Sequence, residues 1–517
     1  MQTPILGSAY VARSVNAADN RMVNLFPEAT AEGGQTAGFL NRAPGLRLLA
    51  SVGAGPIRGL WPVKGVLYVV SGQAFYKVDT SYVATLLGTI TGQDPVSISD
   101  NGSQIFIAAN PDGYIYNVNT GVFAEITDPD FVGASTVGFL DGYFVFTQPN
   151  SQTFWVTELY DGTSVDPLSF ASAEGSPDDL VAVNVDHREA WLFGTNSVEV
   201  WYDAGTPDFP LQRIQGAYME VGCAAAYSVA KLDNSLFWLG RDMRGRGIVY
   251  RAKGYTGVRV STHAIEFAIQ NYGNISDAIA YSYQQEGHSF YVLTFPSANA
   301  TWVYDASTQI WHERAGFSNG VFTRHRSNCQ AAFNSEIVVG DYQNGNIYAF
   351  DLDVYADNGA MQKWLRSWRA LPSDANNLKR TTQHSLQLVC ESGVGLQRGA
   401  EAIPAFTIAS GGIAISPIAT SSIAASSATI SVPYTPEEYV SGANPQIMLR
   451  WSDDGGHTWS NEHWRSMGAI GEYGRRVLWR RLGMTMKLRD RVYEISGTDP
   501  VKVAIMGAQL ILDGTNA

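Results

Sequence analysis

The decapeptide "WSDDGGHTWS", Trp451 to Ser460, carries the side chains of this sequence best spaced for chemistry. It fits Ser-x-Asp-x-Gly-x-Thr-Trp through Ser452, Asp454, Gly456, Thr458 and Trp459. In such a segment the Ser and Asp oxygens are spaced to accept hydrogen bonds from turn amides, and the Gly permits the tight conformation. The Trp is then placed to pack under the turn. Two histidines, His457 and His463, lie close to Asp453 and Asp454 and could be imagined as metal ligands, but nothing in their spacing puts them on one face.

Three other segments compete for attention. "GFSNG", Gly316 to Gly320, matches the Gly-x-Ser-x-Gly nucleophile elbow, which needs a strand-to-helix turn. Here it sits between two β segments, so a chance match in a Gly- and Ser-rich chain is the reading. "DLDVYADNG" places Asp351, Asp353 and Asp357 together without the spacing or terminal Glu of a calcium loop, and reads as a blade-edge loop. The third is a run of cations, Arg475, Arg476, Arg480, Arg481, Lys487, Arg489 and Arg491. A solvated strand face, a subunit or partner interface, and a nucleic-acid contact all remain open for it. Arginine is the favoured interface cation because its planar fork pairs carboxylates bidentately. The Asp-box pattern of Ser452 to Trp459 recurs in sialidases, but it holds no catalytic group there. Sialidase chemistry also needs an arginine cluster and a Tyr–Glu pair that cannot be placed here. The reading is a structural turn, with no catalytic, cofactor-binding or metal residue assigned.

The elements that must position these residues are strands. Twenty-five Tyr, 22 Phe, 13 Trp and 51 Gly in 517 residues favour short strands joined by tight turns. From about residue 56 the chain repeats a first strand, a Gly/Asn/Asp turn, a strongly apolar strand and a Tyr-rich strand that often ends in Asp. Seven such units begin near residues 57, 96, 136, 180, 224, 278 and 329. That period predicts an all-β chain with a β-propeller of about seven blades, since a blade apolar on both faces must be covered by two neighbours. Successive hairpins stacked as sandwiches are the alternative. The expected division is an N-terminal arm and ring-closing strand (1–55), the propeller (56–365) and a C-terminal antiparallel β-sandwich-like domain (366–517). Asp357 to Ala370 could form a short helix or a connecting strand.

Ala402 to Pro436 contains no charged residue and is rich in Ala, Ser, Ile and Thr. Such a β-prone stretch is an aggregation hazard unless covered, by its own domain or a neighbouring subunit. A net charge of −13 argues against an overall field that attracts nucleic acid, though not against a local basic patch. Cys223, Cys329 and Cys390 form neither a disulfide framework nor a zinc motif, which points to a reducing compartment. "MQTPILGSAY" lacks a signal-peptide pattern, and no apolar run reaches the length of a membrane span.

Several segments taken in order resemble the packaged-DNA stabilisation proteins, also called tail hub or head-closure proteins, of short-tailed podovirus-type bacteriophages. They are "NRMVNLFPE" (Asn20–Glu28), "NRAPGLRLLASVGAGPIRGLW" (Asn41–Trp61), "GVLYVVSGQAFYKV" (Gly65–Val78), "NSVEVWYDAG" (Asn196–Gly205) and "RRVLWRRLGMTMKLRDRVYEI" (Arg475–Ile495). The resemblance implies a non-enzymatic virion component without cofactors, assembled in the bacterial cytoplasm as a ring of six copies below the portal and its adaptor. It implies closure of the DNA exit channel and a platform for the tail needle, fibres or tailspikes, with packaged DNA adjacent but no sequence-specific DNA binding. The acidic balance suits a channel through which DNA slides. The stretch Ala402–Pro436 looks like an insertion relative to that family. A propeller-based glycan-binding or glycan-cleaving tail protein that reads a host receptor is the alternative.

Overall fold

The computed structural model describes residues 1–11, 13, 19–30, 36–206, 209–242, 245–371, 380–396, 442–486 and 490–514. Ala402–Pro436, Lys487 and Arg489 lie outside the described residues.

Seven four-stranded units follow one another, with first strands at Ile57–Val63, Ser97–Asp100, Val137–Leu140, Leu180–Asp186, Ala230–Leu232, Ile279–Gln285 and Ser327–Phe333. The fifth is augmented by Gly222–Cys223 beside its second strand. First and second strands are joined by two-residue turns such as Asp233–Asn234 and Asn334–Ser335, where both residues have positive φ. That mirror-type turn matches the right-handed twist of the strands it connects, and Asn, Asp and Gly enter it at least cost. The second strands, among them Val66–Ser71, Gln104–Ala109 and Glu189–Gly194, are buried on both faces after their first residue.

The cause is visible in the packing. Seven apolar clusters each fill the wedge between two adjacent blades. Phe106 of blade 2, for example, meets Phe144 and Phe146 of blade 3 edge to face. Each fully buried aromatic of this kind stabilises by about 2–3 kcal/mol relative to an exposed one. The first strands surround an axial cavity of about 480 Å³, and the Asn328 amide of blade 7 donates to the Ile57 carbonyl of blade 1 across the closure at 2.9 Å.

That closure is made by a strand from the other end of the chain. Gly45–Ser51, which precedes blade 1, pairs antiparallel with Asn346–Asp351 and becomes the outer strand of blade 7.

The sandwich is built from both ends of the chain. One sheet runs Val477–Met484, Thr381–Cys390, Ala504–Gly514, Gly38–Arg42, Leu25–Ala29, with Gln2–Thr3 also on Ala504–Gly514. The other runs Met22–Val23, Trp364–Arg369, Val492–Gly497, Gln446–Ser452, His463–Ser466, and touches blade 6 through Glu313 beside Val23. The residues before Gly45, read from the sequence as an arm, therefore supply strands, and Ile5, Met22, Leu25 and Leu40 pack with Trp364, Trp368, Trp479 and Tyr493. The segment open to a helical reading is extended: Trp364–Arg369 is a strand whose first five residues are buried, covered on both faces. Among the described residues the one α-helix is His263–Gln270, N-capped by Thr262.

Candidate assembly site on the sandwich edge

The Trp451–Ser460 segment closes one end of the strand Gln446–Ser452. The Ser452 hydroxyl donates to Asp454 Oδ1 at 2.6 Å and accepts from the Gly456 amide at 2.8 Å. Asp454 accepts from the Thr458 amide (2.8 Å) and the Thr458 hydroxyl (2.6 Å). These donors, Ser452 first, hold the Asp454 carboxyl far below the usual carboxylate range. Gly455 and Gly456 both have positive φ, which a side chain would resist. Trp459 packs its face against the Arg450 guanidinium, 4.8 Å from the ring centre. Ser452, Asp454 and Thr458 are thus engaged with one another inside the turn.

The neighbouring histidines do other work. His463 stacks on Trp451 at 4.7 Å, and His457 is exposed. Among the described residues no group of three or more His, Cys, Asp or Glu converges as a metal site would require. Ser318 lies at the end of the hairpin Ala315–Ser318/Val321–Arg324, with Asn319 and Gly320 at positive φ in the turn. A strand therefore follows this turn, where a nucleophile elbow needs a helix. The three aspartates of Asp351–Gly359 part company: Asp351 pairs with Arg47 at 2.8 Å, whereas Asp357 is buried near Gln362 and burial pushes its carboxyl up to about 7. Burial also raises the thiols, Cys223 to about 11 and Cys329 and Cys390 to about 12, away from thiolate chemistry at neutral pH.

The arginines divide into two sets. Arg491 is buried and grips Asp453 of the Asp-box with two parallel bonds, at 2.7 and 2.8 Å. It also donates to the Leu482 and Met484 carbonyls and lies over Trp451. Burial opposes its charge, but the bonds from Asp453 hold its pKa above the ordinary arginine value. Arg491 is thus a clamp joining the turn to the edge strand Val477–Met484, and is not available to a partner. Arg475, Arg476, Arg480 and Arg481 are exposed.

The edge strand explains how two consecutive arginines both reach solvent. Gln383 pairs with Gly483 and Ser385 with Arg480, so the register slips between them, and Arg481 adopts a φ of 61°. A bulge of this kind breaks the in–out alternation and blunts an edge against uncontrolled strand pairing. Arg476 is held by Gln387, whereas among the described residues no hydrogen bond or ion pair fixes the side chains of Arg480 and Arg481.

The sequence reading did not single out the exposed apolar residues of the same domain. Trp464, Tyr473, Met484 and Met486 are all exposed, Tyr473 at 75%. Arg465 joins them by donating to the Leu478 carbonyl at 3.0 Å. Trp, Tyr, Met and Arg are the residue types that carry most interface energy. That the strand of Trp464 touches the edge strand could not be found by spacing, because the two belong to different sheets.

Two family models account for most of the chain. One, described as the β-propeller of bacteriophage P22 Gp10, matches residues 1–355, and the other, described as its β-sandwich, matches residues 430–512. No curated protein matches the sequence significantly. Among solved structures, similarity extends to the computationally designed Ika8 protein (12% identity, TM-score 0.38, 59% of this chain and 99% of that one). A streptogramin B lyase structure is similar at 10% identity and TM-score 0.37, over 63% of this chain and 98% of that one. The N-terminal domain of Nup159 is similar at 8% identity and TM-score 0.37, over 64% and 98%. The propeller and the sandwich that the two family models describe are present here in the same order, and the chain belongs to the bacteriophage P22 Gp10 family of phage tail hub and packaged-DNA stabilisation proteins.

Proposed function

We propose that the protein is a non-enzymatic hub of a short phage tail. Copies assemble as a ring, six in number, beneath the portal and its adaptor, close the DNA exit channel, retain the packaged genome and carry the needle, fibres or tailspikes. Assembly takes place in the host cytoplasm. The observation that carries this reading is the match of both domains to one family of structural tail proteins. The site chemistry supports it. The motif nearest to an enzyme signature spends its carboxylate on its own turn amides, and the side chains left over are arginines and aromatics suited to contact. No helix is long and apolar enough to cross a membrane among the described residues.

The test is genetic. Particles lacking the protein should package a full genome and then lose it. Particles that keep their DNA but fail to adsorb to cells would replace the hub reading with receptor recognition.

A further inference from the structure

The charges of this chain are segregated. From Val78 to His187 there are 15 Asp and Glu residues and not one Lys or Arg. That run covers the end of blade 1, all of blades 2 and 3, and the start of blade 4. Among the described residues only Asp141 and Asp186 within it are ion-paired, the first to Arg188, the second to Lys231 and His187. Blade 3 also exposes large apolar side chains among these acids. Leu159, Tyr160, Leu168 and Phe170 are exposed, Leu168 at 76%, beside the exposed carboxylates of Glu158 and Asp166. A surface shaped only to repel sliding DNA has no use for exposed Leu and Tyr. Acid interleaved with apolar residues is the composition of a contact surface for a basic, aromatic partner.

The sandwich edge has that complementary composition, in exposed Arg480, Arg481 and Met484 and in exposed Trp464 on the strand that touches it. The two surfaces cannot meet within one chain. The sandwich joins the propeller at the outer strands of blades 6 and 7, through Val23 beside Glu313 and through the strand Gly38–Arg42, which runs within three residues into Gly45–Ser51. Adjacent blades touch in the order 1 to 7, and blade 7 returns to blade 1. Blades 2 and 3 therefore stand across the ring from the sandwich. Complementary patches on opposite sides of one molecule define a head-to-tail contact, which propagates and closes when the rotation allows.

We infer that the exposed arginine and aromatic edge of one copy's sandwich docks on the acidic, apolar rim of blade 3 of the next copy. The occupant is a second copy of this chain, so the inference rests on the ring reading above and identifies its two mating surfaces. Long-range attraction between the patches should make association fall as salt rises.

The experiment uses the full chain and two variants, Arg480→Glu/Arg481→Glu and Glu158→Lys/Asp166→Lys, in analytical ultracentrifugation at low and high salt. All four positions are exposed, so unchanged circular dichroism and melting confirm folding. Each variant alone should associate roughly a hundredfold more weakly than the wild type, because like charges then face each other. Mixing the two variants should restore association in alternating order: the two native patches meet, and the two altered patches carry opposite charges of reversed sense and attract as well. Wild-type assembly that both variants reproduce unchanged would overturn the contact and leave the ring reading standing. Weak association of each variant that is not recovered in the mixture would show that blade 3 is not the mate of the sandwich edge. A wild-type chain that stays monomeric at every salt and concentration, alone and with portal–adaptor complexes, would remove the ring reading and the contact together.

Discussion

Blade 2 is made from one run, Ser97 to Glu125, and its four strands pair in the order they leave the ribosome. The sandwich sheet that contains Thr381–Cys390 has no such economy, since it takes Gln2–Thr3, Leu25–Ala29 and Gly38–Arg42 from one end of the chain and Val477–Met484 and Ala504–Gly514 from the other. The difference shows in how each region satisfies its buried groups. Blade wedges are mostly aliphatic and aromatic, the 6–7 wedge also holding Arg314 against Tyr283, Phe290 and Phe350. The sandwich and its seam with the propeller are tied by buried arginines that reach across hundreds of residues. Arg42 donates to the carbonyls of Asp499, Val501, Tyr355 and Gln362. Arg366 donates to those of Ile5, Arg21 and Gly7. Burial lowers both, Arg42 to about 10 and Arg366 to about 9, so each stays charged at neutral pH. Local repetition suffices for a blade. A sheet drawn from both ends needs directional ties to fix its register.

The largest test of this contrast is Trp368→Ala. Trp368 is fully buried in the sandwich core and its indole donates to Thr3. Its loss should cost about 3–5 kcal/mol. Hydrogen exchange should accelerate in residues 1–11 and 19–30 while the second strands of blades 2 and 3 keep their protection. Equal loss of protection in those blades would show the two regions to be one cooperative unit. Arg42→Met comes next, at roughly 2–4 kcal/mol, because several carbonyls lose their donor in a buried seam. Urea titration should show a lower midpoint.

A smaller effect separates the seam from both domains. His312 is fully buried near Phe26 and Phe290, and burial, helped by Arg314, lowers its pKa to about 3. Its unfolded-state value is near 6.5, so between those limits the unfolded chain binds more protons than the folded one. Stability should therefore be unaffected by this group above about pH 6.5 and fall as pH drops toward 3, by up to about 1.4 kcal/mol per pH unit. His325 shifts in the same direction for the same first cause. His312→Phe should flatten the slope by one group in denaturation measured from pH 7 to 4, and an unchanged slope would exclude His312 as a source. The smallest effect is Asp454→Ala, which removes the hydrogen bonds within one exposed turn. It should cost about 1 kcal/mol by thermal melting and leave the propeller untouched.

The repeat from Ile57 to Asp351 was legible because each blade is a local object: strand, turn and strand appear in the sequence in the order in which they pair. The Asp-box was legible for the same reason, as Ser452, Asp454 and Thr458 bond within seven residues. The arginine cluster was legible only as a list. Spacing alone could not part Arg491, which faces inward to Asp453, from Arg480 and Arg481, which a bulge turns outward.

By itself the sequence determined the strands, their turns and the sevenfold repeat, because alternation and turn chemistry act over a few residues. Only the tertiary structure decided that residues before Gly45 are sandwich strands, that Gly45–Ser51 closes the ring, and that acidic blades and a basic edge stand on opposite sides. Those facts depend on pairings between residues far apart in the chain, as between Gly45–Ser51 and Asn346–Asp351, where the partner is chosen by the shape and unmet hydrogen bonds of a surface that does not exist until the rest has folded.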